Sequence, residues 1–382
     1  MPDHDHDNPN VHPYHVPNQI ILDTLTPLQG IPDLGSSVGL AADDRNGPAL
    51  IELMKDSLTL KLLLPLVQDH LKMERELEAE DVKKLRISPY NQSLWEITFY
   101  EDLAHLSPHF STSVLGEDRR PGAEDNHTHT ETLPGLNVHL HRQTYETDDI
   151  HLTAVPLENF TPMAVGIVDK GDFSDADTHV SLMRKIIRHP ESVEAVAIPM
   201  VNKPEQDATL FDLISALYNK NAIDSVQVIN ISQGFYSNHS HPILEKALRQ
   251  VAKPIVCSAG NSDTDDSEMQ HWPSHYCNTI PNVISVGYLE KKTLGYRPAS
   301  HSNKGAKGVT LFAKGKWTED LQGTSLAAAW VSRLIALNFA KNRKVKFEMK
   351  SFAREIKDLA GIEIKETNKT ESSTGYRIFP SS

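Results

Sequence analysis

The stretch Met163-Ala-Val-Gly-Ile-Val-Asp169-Lys-Gly171 is an apolar run that ends in a carboxylate and a glycine. This composition predicts a strand buried on both faces of a sheet, because such strands are almost continuously apolar. Similar runs alternate with helical patterns over the following 180 or so residues. Further strands are predicted at Val193–Pro199, Val226–Ile231, Ile255–Ser258 and Val283–Gly287, and helices at Thr178–Arg188, Leu210–Tyr218, Pro242–Val251, Gly323–Ala340 and Glu348–Ala360.

This alternation of strands and helices predicts an α/β fold. The expected architecture is a doubly wound, mainly parallel sheet with helices on both faces. In such folds the chemistry gathers where the strands reach their carboxyl ends. Candidate functional residues are therefore sought directly after the apolar runs.

The net charge of the 382-residue chain is −13, and it is unevenly distributed. Residues 1–160 carry a net charge of −16, whereas residues 161–382 carry +3. A shift of this size predicts a domain boundary. We therefore divide the chain into a flexible tail or arm rich in His, Asp and Pro at 1–47, an acidic N-terminal region at 48–160 and the α/β domain at 161–382.

The acidic region has patterns of its own, which predict a separate α+β unit. Apolar residues at helical spacing predict two helices over 48–86, interrupted at Pro65. Leu94–Tyr100 and Leu136–Tyr145 are predicted strands, separated by a polar loop at Gly116–Glu131.

Composition argues against several classes of protein. The sequence has no apolar run of about 18 residues, so no membrane-spanning helix is expected. A nucleic-acid partner would call for a concentrated basic face, which the charge distribution does not suggest. Met1–Val16 lacks the basic and apolar segments of a secretory signal, and two cysteines cannot form a disulfide framework. These observations predict a cytoplasmic protein with reduced thiols.

The helix predicted after Gly323 begins Gly-Thr-Ser325-Leu-Ala-Ala-Ala. A serine at a helix start is commonly an N-cap. The small residues around Ser325 also let another chain approach closely, and backbone N–H groups at a helix N-terminus stabilise developing negative charge. Ser325 is therefore either a cap or a nucleophile.

Two strand ends supply further polar side chains. Ile255-Val-Cys-Ser-Ala-Gly-Asn261 ends in an asparagine, which either forms a turn through its side chain or donates its amide N–H to an oxyanion. Asp169 follows the strand quoted first and occupies a position from which a carboxylate would orient a histidine.

Four segments resemble the signature blocks of subtilisin-like serine proteases (subtilases, peptidase family S8). They are Val168-Asp169-Lys-Gly171, Val228-Ile-Asn-Ile-Ser232-Gln-Gly234, Ser258-Ala-Gly-Asn261 and Gly323-Thr-Ser325-Leu-Ala-Ala, and they occur in the family's order. The resemblance covers about residues 161–380. It implies a subtilisin-like doubly wound fold, with Asp169 and Ser325 as catalytic residues and Asn261 in the oxyanion hole. It also implies that the backbone of Ser232, Gln233 and Gly234 pairs with an extended peptide substrate as an added strand.

The histidine of the resemblance is the position where this sequence departs most from the family. Family members usually present His-Gly-Thr-His-Val at a helix start, well downstream of the aspartate. Here the candidate is His179 in Asp177-Thr-His-Val-Ser, and Val180 replaces the motif glycine. An alternative alignment would place Ala176 at the catalytic position and abolish the base. We adopt His179 as the catalytic base, because it then lies at a helix start near the strand ends.

Other departures are Lys170 after the aspartate, Ala329 and Trp330 after the nucleophile block, and Gln233 where the family has an apolar residue. The glutamine leaves the form of the neighbouring substrate pocket open.

Metal sites are weakly indicated. The pair His139 and His141 would share one face of a strand, yet no convincing third ligand accompanies it. The loop Asp263–Glu268 is rich in oxygen ligands, and family members often bind Ca²⁺, but the loop lacks EF-hand spacing. A solvated strand face and a solvated acidic loop are favoured, so we predict no metal and no cofactor, with Ca²⁺ as the alternative.

Two functional hypotheses follow from the sequence. The first is a cytoplasmic serine endopeptidase that cleaves protein or peptide substrates through Asp169, His179 and Ser325. Its N-terminal region at 48–160 would be regulatory, or prodomain-like in assisting folding, and would dock on residues 161–382. The second is a catalytically impaired, peptide-binding scaffold of the same fold, motivated by Val180 and the short segment between Asp169 and His179. Neither hypothesis involves a membrane or nucleic acid.

Overall fold

The structure is a computed structural model. It describes residues 15–24, 57–71, 76–100, 111–113, 162–174, 176, 178–189, 192–200, 208–263, 270–292, 295–316, 322–342, 348, 362–366 and 376–380. The predicted strand at Leu136–Tyr145 and nearly all of the predicted helix at Glu348–Ala360 lie outside these ranges. The candidate ligands His139 and His141 lie outside them as well.

The described helices and strands are numbered in chain order. The helices are α1 (Ser57–Leu71), α2 (His179–Ile187), α3 (Leu210–Leu217), α4 (Lys220–Ser225), α5 (Pro242–Gln250) and α6 (Thr324–Asn342). The strands are β1 (His15–Asp23), β2 (Val82–Ser88), β3 (Asn91–Phe99), β4 (Ser111–Ser113), β5 (Met163–Asp169), β6 (Val193–Pro199), β7 (Val228–Ile231), β8 (Phe235–Ser237), β9 (Ile255–Ser258), β10 (Gln270–Trp272), β11 (Val283–Lys292), β12 (Gly295–Pro298), β13 (Leu311–Lys314), β14 (Ile362–Glu366) and β15 (Tyr376–Pro380).

The chain divides into two compact units that do not follow a single cut in the sequence. Unit 1 comprises residues 1–114, 208–219 and 239–247, and unit 2 comprises residues 115–207, 220–238 and 248–382. The chain therefore leaves unit 2 twice after residue 161 to contribute segments to unit 1. The boundaries at 47 and 160 drawn from the sequence remain predictions.

Unit 1 contains an antiparallel sheet with the strand order β2-β3-β1-β4. The stretch predicted to be a tail or extended arm includes β1, which pairs with β3 from Gln19↔Thr98 to Asp23↔Leu94. Apolar side chains of α1 and of the sheet form one buried cluster: Ile20, Leu22, Leu60, Leu63, Leu64, Val67, Leu77, Val82, Leu85, Trp95, Ile97 and Phe99.

Two details of the N-terminal prediction are wrong. Helix α1 continues through Pro65, whose side chain is exposed, as is that of Lys61 four residues earlier. The carbonyl of Lys61, which loses its helical partner to the proline, therefore lies on the exposed side of a helix whose opposite side is buried. Val82–Ser88 is a strand rather than part of a second helix. A register shift between Val82 and Lys84 puts buried side chains three positions apart, and this spacing imitates a helix.

Unit 2 is built on a nine-stranded sheet with the order β14-β15-β13-β11-β9-β7-β5-β6, to which β12 adds by pairing with β11. In this spatial order, every neighbouring pair of strands from β15 to β6 is parallel. Strand β12 pairs antiparallel with β11, and β14 pairs antiparallel with β15. This confirms the predicted α/β fold with a mainly parallel sheet. The short strands β8 and β10 form a separate antiparallel pair.

Helix α6 is the central helix of unit 2. All of its residues from Leu326 to Ala340 are buried, and it packs on β5, β7, β9, β11 and β13. The run Ala327-Ala-Ala329 explains this depth, because side chains this small let the helix backbone lie close to the sheet. Its first residue, Thr324, consequently lies near the carboxyl ends of several strands.

Within the part of the chain that the structure describes, none of the helices combines the length and apolarity needed to cross a membrane.

Candidate active site

Three neighbouring parallel strands, β9, β7 and β5, end at the same edge of the sheet. Strand β5 ends in Asp169, β7 is followed by Ser232-Gln233, and β9 is followed by Ala-Gly-Asn261. Parallel strands bring such residues together whatever their separation in sequence. The sequence-predicted residues Asp169, Ser232, Gln233 and Asn261 are thus on one edge.

Asp169 pairs with His179. The Nδ1 atom of His179 lies 2.5 Å from Oδ2 of Asp169, whose side chain is only 1% exposed. His179 is the first residue of α2, and the preceding Thr178 caps this helix by accepting a hydrogen bond from the backbone N–H of Ser181 at 3.4 Å. The short segment between the aspartate and the histidine therefore delivers the imidazole to the carboxylate.

The other carboxylate oxygen of Asp169 is held by two donors. Oδ1 accepts a hydrogen bond from the backbone N–H of Lys170 at 2.7 Å and another from Nε2 of Gln233 at 3.0 Å. Nε2 of Gln233 also lies 3.4 Å from Nδ1 of His179. Hydrogen bonds from neutral donors compensate the carboxylate for the water that it loses on burial.

Ser325, the second residue of α6, is hydrogen-bonded to the end of β7. Its hydroxyl donates to the carbonyl of Ser232 at 3.2 Å, and the hydroxyl of Ser232 donates to the carbonyl of Ser325 at 3.3 Å. The Ser232 hydroxyl also donates to Oδ1 of Asn230 at 3.0 Å. Ser232 therefore contacts Ser325, and the next residue, Gln233, contacts Asp169 and His179.

The side chain of Asn261 is oriented by the start of α6. The backbone N–H of Thr324 donates to Oδ1 of Asn261 at 2.8 Å, and the backbone N–H of Gly260 donates to Oγ1 of Thr324 at 3.2 Å. Because a backbone N–H can only donate, the atom of Asn261 that it meets must be the oxygen. The amide nitrogen then occupies the opposite branch of the group, as an oxyanion donor requires.

Comparison with known proteins gives a family match for the later part of the chain. The model of the Subtilase family matches residues 191–374, which is 184 of the 382 residues. The chain carries a subtilase domain. The matched range includes Ser232, Asn261 and Ser325, whereas Asp169 and His179 precede it and rest on their motif and geometry. A comparison with curated proteins gives no match.

Solved structures similar to the chain include a subtilase cytotoxin, with 20% identity over 62% of this chain and 93% of that one and a TM-score of 0.48. The epidermin leader peptide processing serine protease of Staphylococcus aureus is 14% identical over 76% of this chain and 90% of its own, with a TM-score of 0.47. A cold adapted subtilisin-like serine proteinase is 19% identical over 57% and 89% of the two chains, with a TM-score of 0.40.

A buried polar network supports the segment of the subtilase domain that carries Asn261. Nδ2 of Asn303 donates to the carbonyl of Ala259 at 2.7 Å and to the hydroxyl of Tyr236 at 3.1 Å, while its Oδ1 accepts from the backbone N–H of Ser262 at 3.0 Å. The ring of His271 packs against Tyr236 with the ring centres 5.0 Å apart. Asn303 was not among the functional residues predicted from the sequence.

A second support joins the two helices that carry His179 and Ser325. Arg333 on α6 is buried, and its guanidinium donates to the carbonyl of Ile186 in the last turn of α2 at 3.2 Å. Burial lowers the pKa of the Arg333 guanidinium to about 10. A cation at the C-terminal end of α2 is favourable, because the unpaired carbonyls there carry partial negative charge.

Metal binding by the subtilase domain is indicated by its sequence alone. Among the described residues, no group of three His, Cys, Asp or Glu side chains is arranged to hold a metal ion. Asp263 is described and pairs with Nζ of Lys304 at 2.6 Å, whereas residues 264–269 of the candidate Ca²⁺ loop lie outside the described ranges.

Proposed function

We propose that this chain is a serine endopeptidase that cleaves peptide bonds through Ser325, His179 and Asp169. The observation that carries the proposal is the pairing of His179 with Asp169 at 2.5 Å, next to a β7 end that also holds Ser325. A nucleophile, an imidazole and a buried carboxylate are the groups that peptide-bond cleavage by this route needs. Membership of the domain in the subtilase family supports the same reaction.

The reaction begins when Ser325 Oγ attacks the substrate carbonyl carbon and His179 takes the hydroxyl proton. Asp169 keeps the imidazole oriented and stabilises its positive charge. The amide of Asn261 and the backbone N–H of Ser325 donate to the oxyanion of the tetrahedral intermediate. The intermediate collapses to an acyl-enzyme as His179 protonates the departing amine, and water then releases the acyl group by the reverse sequence.

A fluorophosphonate probe, which phosphonylates activated serines, tests this proposal on the full chain. We expect the wild-type protein to be labelled, Ser325→Ala to be unlabelled, and His179→Ala to be labelled far more slowly. Labelling that persists in Ser325→Ala would show that the reactive serine lies elsewhere.

An unlabelled but folded wild-type protein would instead support the peptide-binding scaffold. Val180, in place of the motif glycine, favours this second candidate, because its buried side chain lies immediately after the proposed base. Binding of an extended peptide without turnover, measured by calorimetry, would then be the expected behaviour.

We further propose that the N-terminal region regulates the peptidase. Unit 1 supports this, because its sheet shares a unit with segments 208–219 and 239–247 from the later part of the chain. Inside the unit, Arg86 of β2 pairs with Asp212 of α3, and Nζ of Lys246 lies 2.6 Å from Oδ2 of Asp23. Deleting residues 1–160 should therefore alter the rate of Ser325 labelling or impair folding. Equal folding and an equal labelling rate would exclude both a restraining and a folding role.

An intracellular location also belongs to the proposal. The two cysteines of the chain, Cys257 and Cys277, form no disulfide, and burial raises the pKa of the Cys257 thiol. Reduced thiols fit a reducing compartment. Fractionation of the native host, followed by probe labelling of each fraction, tests this location directly.

A further inference from the structure

The side chain of Gln233, which stands where the family has an apolar residue, is buried against the proposed catalytic residues. The residue is 4% exposed, and its amide nitrogen is directed at Asp169 Oδ1, 3.0 Å away. The same nitrogen lies 3.4 Å from Nδ1 of His179. Gln233, whose backbone is expected to pair with the substrate, thus contacts two of the three proposed catalytic side chains through its amide.

The surroundings of Asp169 make this contact consequential. Its carboxylate is buried, and of its two oxygens Oδ2 faces His179 while Oδ1 accepts from Lys170 N–H and from Gln233. The Lys170 donor belongs to the backbone and survives any substitution there other than proline. Gln233 is therefore the side chain through which the sequence sets the orientation of the carboxylate.

The backbone at Gly234 explains why the Gln233 side chain is well placed for this role. A Cβ atom at Gly234 would lie 2.4 Å from the ring of His271 and 2.5 Å from the carbonyl of Trp272. On the other side, Ser232 exchanges two hydrogen bonds with Ser325. The backbone of Gln233 is therefore held by its neighbours on both sides, and this fixes the position of its Cβ atom.

We propose that Gln233 is a positioning residue, whose amide fixes the Asp169 carboxylate so that Oδ2 meets His179. The inference rests on the proposed function, because it assigns a role within the same reaction. Gln233 acts through Asp169 and does not itself exchange a proton. Its polar side chain completes the buried hydrogen bonding of the carboxylate.

Among the described residues, the charged and titratable side chains in contact with Gln233 belong to β5 and α2, and the ring of His271 lies beside the neighbouring Gly234. Strand β5 supplies Asp169, followed by the half-buried Lys170, and α2 supplies His179. Serine side chains come from the β7 end and from α6, as Ser232 and Ser325. A change at Gln233 should consequently be felt in the ionisation of His179.

Two variants of similar size separate positioning from packing. Gln233→Met removes the donor and keeps the volume, and Gln233→Glu keeps the shape but sets a second carboxylate beside Asp169. The control is Gln227→Met, since Gln227 accepts a hydrogen bond from the backbone N–H of Ala164 near the start of β5, away from the site. The readouts are the rate of fluorophosphonate labelling against pH, kcat and KM on a peptide amide, and the melting temperature.

We expect Gln233→Met to lower kcat by about 10- to 100-fold with little change in KM, the range typical of a lost hydrogen bond to a charged group. Gln233→Glu should move the acidic limb of the labelling profile to higher pH, because added negative charge favours the protonated imidazole. Gln227→Met should leave both quantities unchanged.

A raised KM with unchanged kcat in Gln233→Met would overturn the proposal in favour of substrate binding. An acidic limb that does not move in Gln233→Glu would overturn it as well, and this variant decides the matter if Gln233→Met does not fold. An unlabelled wild-type protein refutes the proposed function itself. A labelled wild type with equally labelled Gln233 variants refutes only the role of Gln233.

Discussion

Oδ2 of Asp169 and Nδ1 of His179 lie 2.5 Å apart, and nine residues lie between the two in sequence. The intervening chain leaves the end of β5 and returns directly at the start of α2. The short segment between Asp169 and His179 is therefore sufficient to bring the carboxylate at the end of β5 to the imidazole at the start of α2.

Asp169→Asn should reduce activity by about 10⁴-fold, the loss seen when the aspartate of such a triad becomes an amide. Lys170 N–H and Gln233 Nε2 both donate to Oδ1, so the substituted amide would keep its oxygen there and direct its NH₂ at His179. The imidazole would then have to accept at Nδ1 and carry its proton on Nε2, where it could not take the serine proton. Steady-state kinetics on a peptide amide measure the loss.

The control for that substitution is Asp172→Asn, because Asp172 is exposed and lies in the same segment between β5 and α2. Hydrogen bonds from the Ser174 side chain and backbone lower the pKa of Asp172. Its activity should stay within about twofold of wild type. A comparable loss in both variants would mean that activity depends on the conformation of the segment between Asp169 and His179, and not on the carboxylate of Asp169 itself.

Asn261→Asp should lower kcat by about 10²- to 10³-fold at nearly constant KM, because an oxyanion donor acts chiefly in the transition state. The substitution keeps an oxygen to accept from Thr324 N–H and replaces the NH₂ donor with a negatively charged carboxylate oxygen, which would also repel the oxyanion. Helix α6 should therefore keep its N-terminal hydrogen bond, and the melting temperature should change little. If kcat is retained, another group must hold the oxyanion.

Much of unit 2 and of its site was predictable because the information is local. Val193–Pro199 and Ile255–Ser258 are strands with the predicted bounds, since buried parallel strands are continuously apolar. His179 begins α2 as expected, because Thr178 is a good cap. The roles of Gln233 and Asn303 were not predictable, since each depends on which strand ends become neighbours.

The N-terminal region was harder to predict for a physical reason. In Val82–Ser88 the shift in register breaks the alternation of buried and exposed residues, so the period of two is lost. The recruitment of residues 208–219 into unit 1 is a tertiary effect: α3 is a predicted helix, but nothing in its own sequence states which sheet it packs on.

Arg86→Met should destabilise unit 1 by about 3–5 kcal/mol, the usual cost of removing one member of a buried ion-pair network. Arg86 pairs with Glu96 at 3.2 Å and with Asp212, and both carboxylates are buried. Burial acts to lower the pKa of the Arg86 guanidinium, but the charges and hydrogen bonds of Glu96 and Asp212 outweigh it and raise the pKa above its ordinary value. Thermal unfolding of the full chain measures the loss.

The pH dependence of that loss identifies its cause. Without Arg86, two buried carboxylates would face each other uncompensated, and protonating one of them at lower pH would relieve the repulsion. The gap in melting temperature between variant and wild type should therefore narrow between pH 7 and pH 5. A gap independent of pH would point to lost packing of the guanidinium on the Phe211 ring, 4.7 Å away.

Gly260→Ala should cost about 2–4 kcal/mol and suppress activity, because two effects act at this position. Gly260 has φ +93°, a conformation that side chains disfavour, and an added Cβ would lie 2.4 Å from the Tyr236 hydroxyl and 2.5 Å from Nδ2 of Asn303. Relieving these contacts requires a shift of the segment that carries Asn261. Adding Tyr236→Phe removes the nearest atom but not the backbone strain. The double variant should therefore recover part of the melting temperature, whereas no recovery would assign the cost to the backbone strain and to the remaining contact with Asn303.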